Sequence, residues 1–347
     1  MKPFFIYPGS FCPPTYGHVE IANRTAALFG KVTVLCSANP DKEKTWFSQE
    51  ECAEMWQTYN LPQNVAITTF KEFNGTIRNR PSIVMIRGVR DDRDLDYEKE
   101  VVMLNYRKFG IVNYLYVLNY GEYNGVSSTI ARNLAHNLDI IKLSTHVSPL
   151  ILTRIIEKTL DIRNLFMVVG KPGSGKTTFL KMLHEKNSNN IYIDTDDFTS
   201  RLRPLLENKF GRANLVDIAS KHGEKLTRVI EKPWLRLVRN ALKRVPRRSN
   251  VFLEIPYGLQ PDKLAFRFFG GKIIYVGSED ERQNKKRILA RGTPHIAKLI
   301  YKIPGKKETR VIAKQYKLEV IYIDTNGSLD NLKAKAHNFD RKLQSTC

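Results

Sequence analysis

The sequence contains few cysteines and no long hydrophobic run, and both shortages narrow the class of protein. Its 347 residues include four cysteines, with no CxxC pair and no histidine cluster at zinc spacing. We therefore expect reduced thiols and neither a disulfide framework nor a structural metal. No stretch approaches the roughly 20 apolar residues that span a bilayer, and the N-terminus lacks the pattern of a signal peptide. These absences predict a cytoplasmic protein without a membrane anchor.

Positive charge is distributed unevenly along the chain. Lys and Arg number 56 against 35 Asp and Glu, which gives a net charge of +21. Residues 1–160 hold 18 basic and 16 acidic residues, whereas residues 161–347 hold 38 and 19. The chain is also longer than one ordinary core requires. We therefore expect two domains, residues 1–160 and residues 161–347, with different electrostatic tasks.

The first forty residues have the pattern of a parallel βαβ unit. PFFIY is a short apolar strand, GSFCPPTYG is rich in residues that break regular structure, and HVEIANRTAALF repeats apolar residues at helical spacing before the strand KVTVLCSA. In such a sheet, ligands bind beyond the carboxyl ends of the strands, where the loop from Gly9 to His18 falls. Glycine, helix-terminal amides and histidine all suit phosphates, so the loop predicts a nucleotide site. An ordinary Gly/Pro-rich turn is the alternative for this stretch taken alone.

Two later segments make the nucleotide interpretation specific. IVMIRGVRDDRDLDYEKE gives a strand followed by Arg87, Gly88 and Arg90, and GVSSTIAR places three hydroxyls at a helix start. Together with YPGSFCPPTYGH, these segments resemble in order the T-x-G-H, IRG-x-R…YE and I-S-S-[ST] segments of the bacterial phosphopantetheine adenylyltransferases. SANPDKEKTWFSQEE and VSPLILTRIIEK resemble further segments of that family, so the resemblance covers about residues 2–160.

The resemblance implies a Rossmann-like nucleotidyltransferase domain and roles for its residues. Ser10 and His18 would hold the ATP phosphates and the transition state, and Lys42 would neutralise charge on the reacting phosphates. Arg90 would grip the triphosphate, and Arg87 would reach the nucleotide and the phosphopantetheine phosphate. The implied ATP-binding residues are Gly9, Ser10, Phe11, Gly17, His18, Arg87, Gly88, Arg90, Glu98, Ser127, Ser128 and Thr129. The implied acceptor-binding residues are Ser10, Lys42 and Arg87.

Two departures from the family pattern leave alternatives open. Lys44 rivals Lys42, because the segment after Lys42 is one residue longer than in the family. Cys12 replaces an aspartate, and it is either a packed, inert thiol or a thiol that lines the site with an altered pKa. The family forms no covalent intermediate: the 4′-phosphate attacks the α-phosphorus of ATP, pyrophosphate leaves, and Mg²⁺ accompanies the triphosphate. Positioning and charge neutralisation carry such a reaction, which agrees with the lack of a visible nucleophile-base pair.

The second half contains a complete phosphate-binding loop. NLFMVVGKPGSGKTTFLKML places G-x-x-x-x-G-K-[ST] between an apolar strand and a helix, which is the context that this motif requires. We expect the amides from Gly173 to Thr177 to cradle the β-phosphate, Lys176 to reach the β- and γ-oxygens, and Thr177 to ligate Mg²⁺. The predicted ATP-binding residues of this loop are Gly170, Gly173, Ser174, Gly175, Lys176, Thr177 and Thr178. The motif predicts a P-loop NTPase kinase domain, so both halves are predicted to be α/β domains with doubly wound parallel sheets.

Three carboxylates follow the next apolar strand, in NIYIDTDDF. Asp194, Asp196 and Asp197 fall at the same sheet edge as the phosphate loop. A carboxylate there accepts the proton of an attacking hydroxyl or holds Mg²⁺ through water. We expect one of the three to serve only as the N-cap of the following helix.

Further segments of the second half resemble dephospho-coenzyme A kinase. They are IDTD, RANLVDIASKHGEKLTRVIEKP, VFLEIPYGL, KKRILARG and IDTNGSLDNL, in the family's order across residues 164–340. The resemblance makes Asp196 the first choice for the general base toward the acceptor's ribose 3′-hydroxyl, and Asp194 the second. Arg212 would contact the acceptor, and Arg287 and Arg291 would close over the ATP phosphates.

The two resemblances are to enzymes that act in succession, since the first makes dephospho-coenzyme A and the second phosphorylates it. They imply a bifunctional coenzyme A synthase that uses ATP, Mg²⁺ and 4′-phosphopantetheine and forms homo-oligomers. One alternative is a nicotinamide-pathway fusion, against which the IRGVR…YE, VSST and IDTNGS segments argue. Another is a nucleic-acid-associated protein, suggested by the basic residues of 236–248 and 298–307. Because no aromatic-interleaved nucleic-acid module occurs, we interpret that charge as a solvated face and as arginines that serve polyanionic substrates.

Overall fold

The computed structural model of the protein describes residues 3–38, 46–77, 82–89, 92–118, 122–213, 215–255, 263–278, 281–290, 292 and 305–345. Contacts between residues divide the chain into two compact units, Met1–Ile151 and Leu152–Cys347. Each unit has its own five-stranded parallel sheet with helices between the strands. The predicted α/β class with two parallel sheets is therefore confirmed.

The first sheet has the strand order β3-β2-β1-β4-β5, with all neighbours parallel. Its strands are β1 (Phe4–Gly9), β2 (Val32–Cys36), β3 (Val65–Thr69), β4 (Ile83–Val89) and β5 (Asn113–Leu118). The helices are α1 (Tyr16–Phe29), α2 (Gln49–Trp56), α3 (Phe70–Ile77), α4 (Asp92–Phe109), α5 (Ser128–His136) and α6 (Ile140–Leu143). The strand order reverses at β1, and the carboxyl end of such a strand is the usual place for a ligand.

Buried apolar side chains hold this sheet together. The strand β2 is buried at every position, as expected for a strand of a parallel sheet that is covered on both faces. Ile6, Leu35 and Met85 join three neighbouring strands in one cluster. Trp56, at the end of α2, is fully buried, and its ring meets the ring of Phe11 with centroids 5.1 Å apart. Helix α2 therefore packs against the loop that follows β1.

The second sheet has the strand order β10-β9-β6-β8-β7 and is also parallel throughout. Its strands are β6 (Asn164–Val169), β7 (Asn190–Asp194), β8 (Asn250–Glu254), β9 (Ile273–Gly277) and β10 (Val320–Asp324). Helix α7 (Pro149–Leu160) begins in the first unit and continues in the second. The other helices are α8 (Lys176–Lys186), α9 (Asp196–Arg201), α10 (Arg203–Phe210), α11 (Leu215–Leu242), α12 (Lys263–Phe269), α13 (Glu281–Ala290), α14 (Lys306–Gln315) and α15 (Leu329–Ser345).

Aromatic side chains fill the core of the second unit. Phe166 of β6 and Phe252 of β8 stack with ring centroids 5.3 Å apart. Phe339 of α15 packs edge-on against both rings, and Phe179 of α8 joins the same cluster. Because α8 directly follows the predicted phosphate loop, this core fixes the helix whose N-terminus faces that site.

A chain of amides runs along the amino edge of the second sheet. Asn164, Asn190 and Asn250 are the first residues of β6, β7 and β8. Asn164 donates to the Asn250 side chain and Asn250 donates to the Asn190 side chain, each at 2.9 Å. Asn190 donates to Asp340 at 2.7 Å, and Lys272 donates to Asn164 at 2.7 Å. The amide chain is thus closed by a carboxylate at one end and an ammonium at the other.

Lys272 also takes part in a buried ion pair. Its Nζ lies 2.7 Å from Glu157 Oε1, which accepts a second hydrogen bond from the Leu165 amide at 2.7 Å. Burial raises the pKa of Glu157 and lowers the pKa of Lys272, in each case against the attraction of the partner. The loss of water therefore has a larger effect on both pKa values than the attraction between the two charges. Removal of one partner should leave the other charge buried and unpaired, which should strongly lower the stability of the fold.

The described helices and cysteines concern two expectations from the sequence, on membrane spans and on free thiols. Of the described helices, none is long and apolar enough to cross a membrane. Cys12, Cys36 and Cys52 are buried free thiols, and burial raises the pKa of Cys36 to about 12. Cys347 lies outside the described residues.

Candidate functional site

The loop after β1 forms the first candidate site. A cavity of about 220 Å³ opens there, between the ends of β1 and β4 and the starts of α1 and α5. These predicted residues line it: Gly9, Ser10, Phe11, Gly17, His18, Arg87, Gly88, Ser127, Ser128 and Thr129. The structure therefore brings together three segments that are far apart in the sequence.

Side chains from other elements brace this loop. The carbonyls of residues 12–14 accept hydrogen bonds from Arg132, Ser128 and Tyr59, in that order, at 2.5, 2.8 and 3.0 Å. Two of these three loop residues are prolines, which have no backbone N–H to donate. The shape of the loop therefore depends on side chains that lie distant in the sequence, and Arg132 and Tyr59 are braces that the sequence analysis did not identify.

The start of α1 fixes the protonation form of His18. The Thr15 amide donates to His18 Nδ1 at 3.0 Å, so Nδ1 is the acceptor of a neutral ring and the proton is on Nε2. The Phe11 ring contacts the His18 ring edge-on with centroids 5.1 Å apart. The Nε2–H group is therefore a donor at a helix N-terminus, which suits a phosphate oxygen.

Arg87 and Glu98 pair with each other. Arg87 Nε and Nη2 lie 2.7 and 2.5 Å from the two Glu98 carboxylate oxygens, and Nη1 donates to the Pro8 carbonyl at 3.2 Å. Glu98 is only 4% exposed. The family resemblance implies a nucleotide contact for both residues. The structure places Arg87 at the cavity and uses Glu98 to orient it.

The three hydroxyls at the start of α5 have different partners. Ser127 Oγ accepts a hydrogen bond from the Ile130 amide at 3.3 Å and caps the helix. Ser128 is the loop brace described above, and Thr129 Oγ1 accepts from Arg132 at 3.1 Å. Because Ser127 and Thr129 act here as acceptors, each can donate its own O–H to a phosphate in the cavity.

Cys12 occupies the packed position of the two alternatives. It is 5% exposed, and its Sγ lies 3.7 Å from the Phe47 carbonyl. A hydrogen bond from Cys52 lowers the pKa of Cys12, while burial acts against that change. The same hydrogen bond, and then burial, raise the pKa of Cys52. Three predicted residues of this site lie outside the described residues: Lys42, its rival Lys44, and Arg90.

The second candidate site is the loop between β6 and α8. Gly170 has a φ of +155° and Gly173 a φ of +72°, both in the region that favours glycine. A side chain at Gly170 would also collide with the Val276 carbonyl. Lys176 folds back and donates to the Gly170 carbonyl at 3.0 Å. The loop thus closes around the start of α8, whose amides are the predicted phosphate ligands.

Glu254, the last residue of β8, is a site residue that the sequence analysis missed. Thr177 donates its hydroxyl to the Glu254 carboxylate at 2.9 Å, and Lys176 Nζ lies 4.0 Å from it. Burial raises the pKa of Glu254, and Lys176 opposes the rise. The available signal was the acid that ends the apolar run NVFLE, because parallel strands bring their carboxyl ends to one edge.

The three aspartates after β7 have separate tasks. Asp194 Oδ1 accepts a hydrogen bond from the Asp196 amide at 2.8 Å and so caps the start of α9. Asp197 pairs with Arg201 at 2.7 Å. Removal of water raises the pKa of Asp196; Lys176 opposes this rise and Asp194 adds to it. Asp196 is exposed at this sheet edge, and Lys176 is among the charges that act on its pKa.

A second cavity, of about 230 Å³, lies beside this loop. Its lining includes Gly173, Gly175, Thr178, Arg287, Thr325 and Leu332. Arg287 donates to the carbonyls of Gly173 and Thr325 at 3.4 and 3.5 Å. The hydroxyls of Ser174 and Thr325 are buried and have no hydrogen-bond partner within the described residues, as is common where a ligand or water binds.

Of the remaining predicted residues, Arg212 is exposed between α10 and α11, and Arg291 lies outside the described part of the chain.

The oxygen atoms at Thr177 fit the predicted Mg²⁺. This ion prefers oxygen ligands and usually keeps some from water and from substrate phosphates. Thr177 Oγ1 lies 2.9 and 3.1 Å from the two Glu254 carboxylate oxygens. In the described parts of the chain, no group of three or more His, Cys, Asp and Glu side chains could hold a metal ion. The Thr177 hydroxyl and the Glu254 carboxylate are the oxygen ligands that these residues could offer to such an ion.

Comparison with known proteins identifies the family that the first unit resembles. A family model described as Cytidylyltransferase-like matches residues 6–134. The phosphopantetheine adenylyltransferase of Mannheimia succiniciproducens is 33% identical over 155 residues, which are 44% of this chain and 96% of that protein. The phosphopantetheine adenylyltransferase of Aquifex aeolicus is 35% identical over 133 residues, which are 38% of this chain and 81% of that protein.

A likeness to a solved structure extends over both units but is weak. The crystal structure of NadR protein in complex with NAD and AMP-PNP aligns with 99% of this chain and 97% of that chain. Its TM-score of 0.33 and identity of 14% are too low to support an assignment of fold or function. The adenylyltransferases, in contrast, match over most of their own length. Through its N-terminal unit, the chain therefore belongs to the phosphopantetheine adenylyltransferase family.

Proposed function

We propose that the chain makes coenzyme A from 4′-phosphopantetheine in two steps. The first unit transfers the adenylyl group of ATP to the 4′-phosphate, which gives dephospho-coenzyme A and pyrophosphate. The second unit phosphorylates the ribose 3′-hydroxyl of that product with a second ATP. The observation that carries the proposal is that a chain of this adenylyltransferase family continues into a unit where Lys176, Thr177 and Glu254 meet at a phosphate loop.

In the first step, the residues position charge and form no covalent bond. An oxygen of the 4′-phosphate attacks the α-phosphorus of ATP, and the bond from that phosphorus to the pyrophosphate oxygen breaks. His18 donates its Nε2–H to the negative charge that develops, which the N-terminal amides of α1 also favour. Arg87, oriented by Glu98, adds positive charge at the cavity. The braced loop keeps these donors in place, and positioning of this kind supports the reaction.

In the second step, the 3′-hydroxyl oxygen attacks the γ-phosphorus of ATP, and ADP leaves. Asp196 takes the hydroxyl proton, and its raised pKa makes it a stronger base than an ordinary aspartate. Lys176 supports the β- and γ-phosphate oxygens. Mg²⁺ held by Thr177 and Glu254 would neutralise charge on those phosphates. The cavity beside Arg287 offers space for the nucleoside of this ATP.

Product analysis of the full chain with ATP, Mg²⁺ and 4′-phosphopantetheine tests both steps. We expect coenzyme A from the parent, no nucleotide product of the acceptor from His18→Ala, and accumulated dephospho-coenzyme A from Lys176→Ala. His136→Ala and Lys181→Ala are matched controls, because both side chains are exposed and neither lines a cavity described above. Both controls should form coenzyme A as the parent does.

Other acceptors separate the proposal from its alternatives. Adenylyl transfer to nicotinamide mononucleotide but not to 4′-phosphopantetheine would contradict the first step. A parent enzyme that stops at dephospho-coenzyme A would contradict the second step and leave the first intact. If neither acceptor turns over, the nucleotide domains serve another purpose.

A further inference from the structure

Six exposed basic side chains lie on the C-terminal part of α11 and in the turns that precede β6 and β8, and we call them the basic end. They are Arg163, Arg236, Lys243, Arg244, Arg247 and Arg248. The Arg163 amide donates to the Ser249 carbonyl at 2.8 Å, and the Arg248 amide donates to the Asp161 carbonyl at 2.6 Å. These contacts join the turn before β6 to the turn before β8. Asp161 is the single acidic residue within 161–163 and 236–249.

The basic end is remote from the phosphate loop. The loop follows β6 and Glu254 ends β8, whereas the turns of the basic end precede these same strands. Strands of five or six residues separate the two edges by about 15 to 20 Å. The cluster therefore does not serve the nucleotides at the loop, which removes one explanation that the sequence analysis gave for this charge.

The charge of the basic end is not neutralised within the described protein. None of its six cations takes part in an ion pair with a described residue. Arg239 lies on α11 one turn after Arg236, and its buried Nε has no hydrogen-bond partner among the described residues. Closely spaced like charges repel and destabilise a compact fold. An anionic partner would relieve that repulsion.

The composition of the surface selects among anionic partners. The exposed large apolar side chains of the described residues all lie outside 161–163 and 236–249. A membrane-bound helix needs such side chains for insertion, and stable protein interfaces are centred on buried aromatic or aliphatic anchors. Stacking of single-stranded bases also needs exposed aromatic rings. A nucleic-acid duplex needs none of these, because phosphate contacts from Arg and Lys supply its non-specific affinity.

We propose that the basic end binds the phosphate backbone of a nucleic-acid duplex without sequence preference. Five of its six cations are arginines, whose planar donors match the paired oxygens of a phosphate. Arg236 lies on α11 about 10 Å before Lys243, the first residue after that helix, so the helix and the turns together can reach several successive phosphates. This binding is independent of the proposed enzymatic steps.

Fluorescence anisotropy with a labelled DNA duplex of about 20 base pairs tests the proposal at about 150 mM salt. The test variant combines Arg236→Gln, Lys243→Gln, Arg244→Gln and Arg247→Gln. The matched control combines Lys181→Gln, Lys186→Gln, Lys314→Gln and Lys333→Gln, four exposed lysines elsewhere in the same unit. We expect the test variant to lose about tenfold or more in affinity and the salt slope to fall by about three, whereas the control should lose less than about threefold.

Several results would overturn the proposal. These are no binding by the parent at this salt, an equal loss in the control variant, binding to anionic vesicles but not to the duplex, and strong preference between unrelated duplexes. Coenzyme A formation and thermal unfolding check that both variants fold, and each should match the parent. Should the fourfold variant not fold, the pairs Arg236→Gln with Lys243→Gln and Arg244→Gln with Arg247→Gln are measured separately, and each should lose about threefold.

Discussion

The two nucleotide sites hold their loops in different ways. In the first unit, side chains from other elements hold the carbonyls of residues 12–14, and Glu98 orients Arg87 through an ion pair. In the second unit, the loop closes largely on itself, because Lys176 donates to the Gly170 carbonyl and also faces Glu254. The first site should therefore respond to substitutions of residues that touch no substrate. The second site should respond to the charged groups that face the phosphates.

The largest effect that follows from this comparison is at Glu254. Glu254→Gln keeps the shape of the side chain but removes the negative charge beside Thr177 and Lys176. The kcat of the phosphorylation step should fall about 100-fold or more, and adenylyl transfer should not change. ADP formation with dephospho-coenzyme A as substrate measures the loss, and Glu185→Gln, which is exposed on α8, is the control. Parent-like phosphorylation by Glu254→Gln would remove Glu254 from the site.

The second-largest effect is expected on the folding stability of the second unit, at an ion pair remote from the phosphate loop. Lys272→Met leaves the buried Glu157 carboxylate without its ion-pair partner and should lower the free energy of unfolding by about 3 kcal/mol. Because burial raises the pKa of Glu157 above its unfolded value, the variant should be most stable in acid and should lose stability as pH rises through the folded pKa. Urea unfolding at acidic and neutral pH measures both changes. Lys158→Met, at an exposed position of α7, should show neither.

A smaller effect is expected from the brace in the first unit. Arg132→Met keeps the apolar stem but removes the hydrogen bonds to the Cys12 carbonyl and to Thr129. The kcat/KM of adenylyl transfer should fall by about 10- to 100-fold through misplacement of the loop, while phosphorylation should be unaffected. Arg107→Met, exposed on α4, is the control. An unchanged kcat/KM would mean that the loop does not need this brace.

The smallest effect should come from Ser128. Ser128→Ala removes one hydrogen bond to the Pro13 carbonyl and should cost about 1 kcal/mol, or about fivefold in kcat/KM of adenylyl transfer. Ser144→Ala removes a comparable hydrogen bond, from the residue that follows α6 to the Ile141 carbonyl, and serves as its control. If both variants lose equally, the effect belongs to general stability and the comparison between the two loops weakens.

Elements with strong local patterns could be predicted from the sequence. The segments β1 to α1 and β6 to α8 combine an apolar strand, breaking residues and a helix start, and each depends on neighbours in the chain. Glu254 was harder to find, because its sequence signal, one acid at the end of an apolar strand, does not show which strands are neighbours. Its role arises because β8 pairs with β6, and strand order is a property of the folded sheet.

Partners that are distant in the sequence were also beyond prediction. Arg132 reaches a carbonyl 120 residues away, and no spacing rule connects such positions. The sequence ranks Asp196 before Asp194 as the general base only through the family resemblance. Which aspartate caps α9 stayed open, since that depends on backbone direction after β7. The charge of residues 236–248 was evident, but only the sheet shows which edge it occupies.

The chain of asparagine side chains in the second sheet can fix the register of strands β6, β7 and β8. A shift of β6, β7 or β8 by one residue would turn its first side chain to the opposite face of the sheet. The amides of Asn190 and Asn250, which are buried, or that of Asn164, which is partly buried, would then lose their partners, and an unpaired group is costly in an apolar interior. Apolar strands as similar as these could exchange places with little loss of hydrophobic contact. The hydrogen bonds between the amides favour the correct strand order and register over the alternatives. The same register sets the positions of the carboxyl ends of these strands, which form the phosphate site.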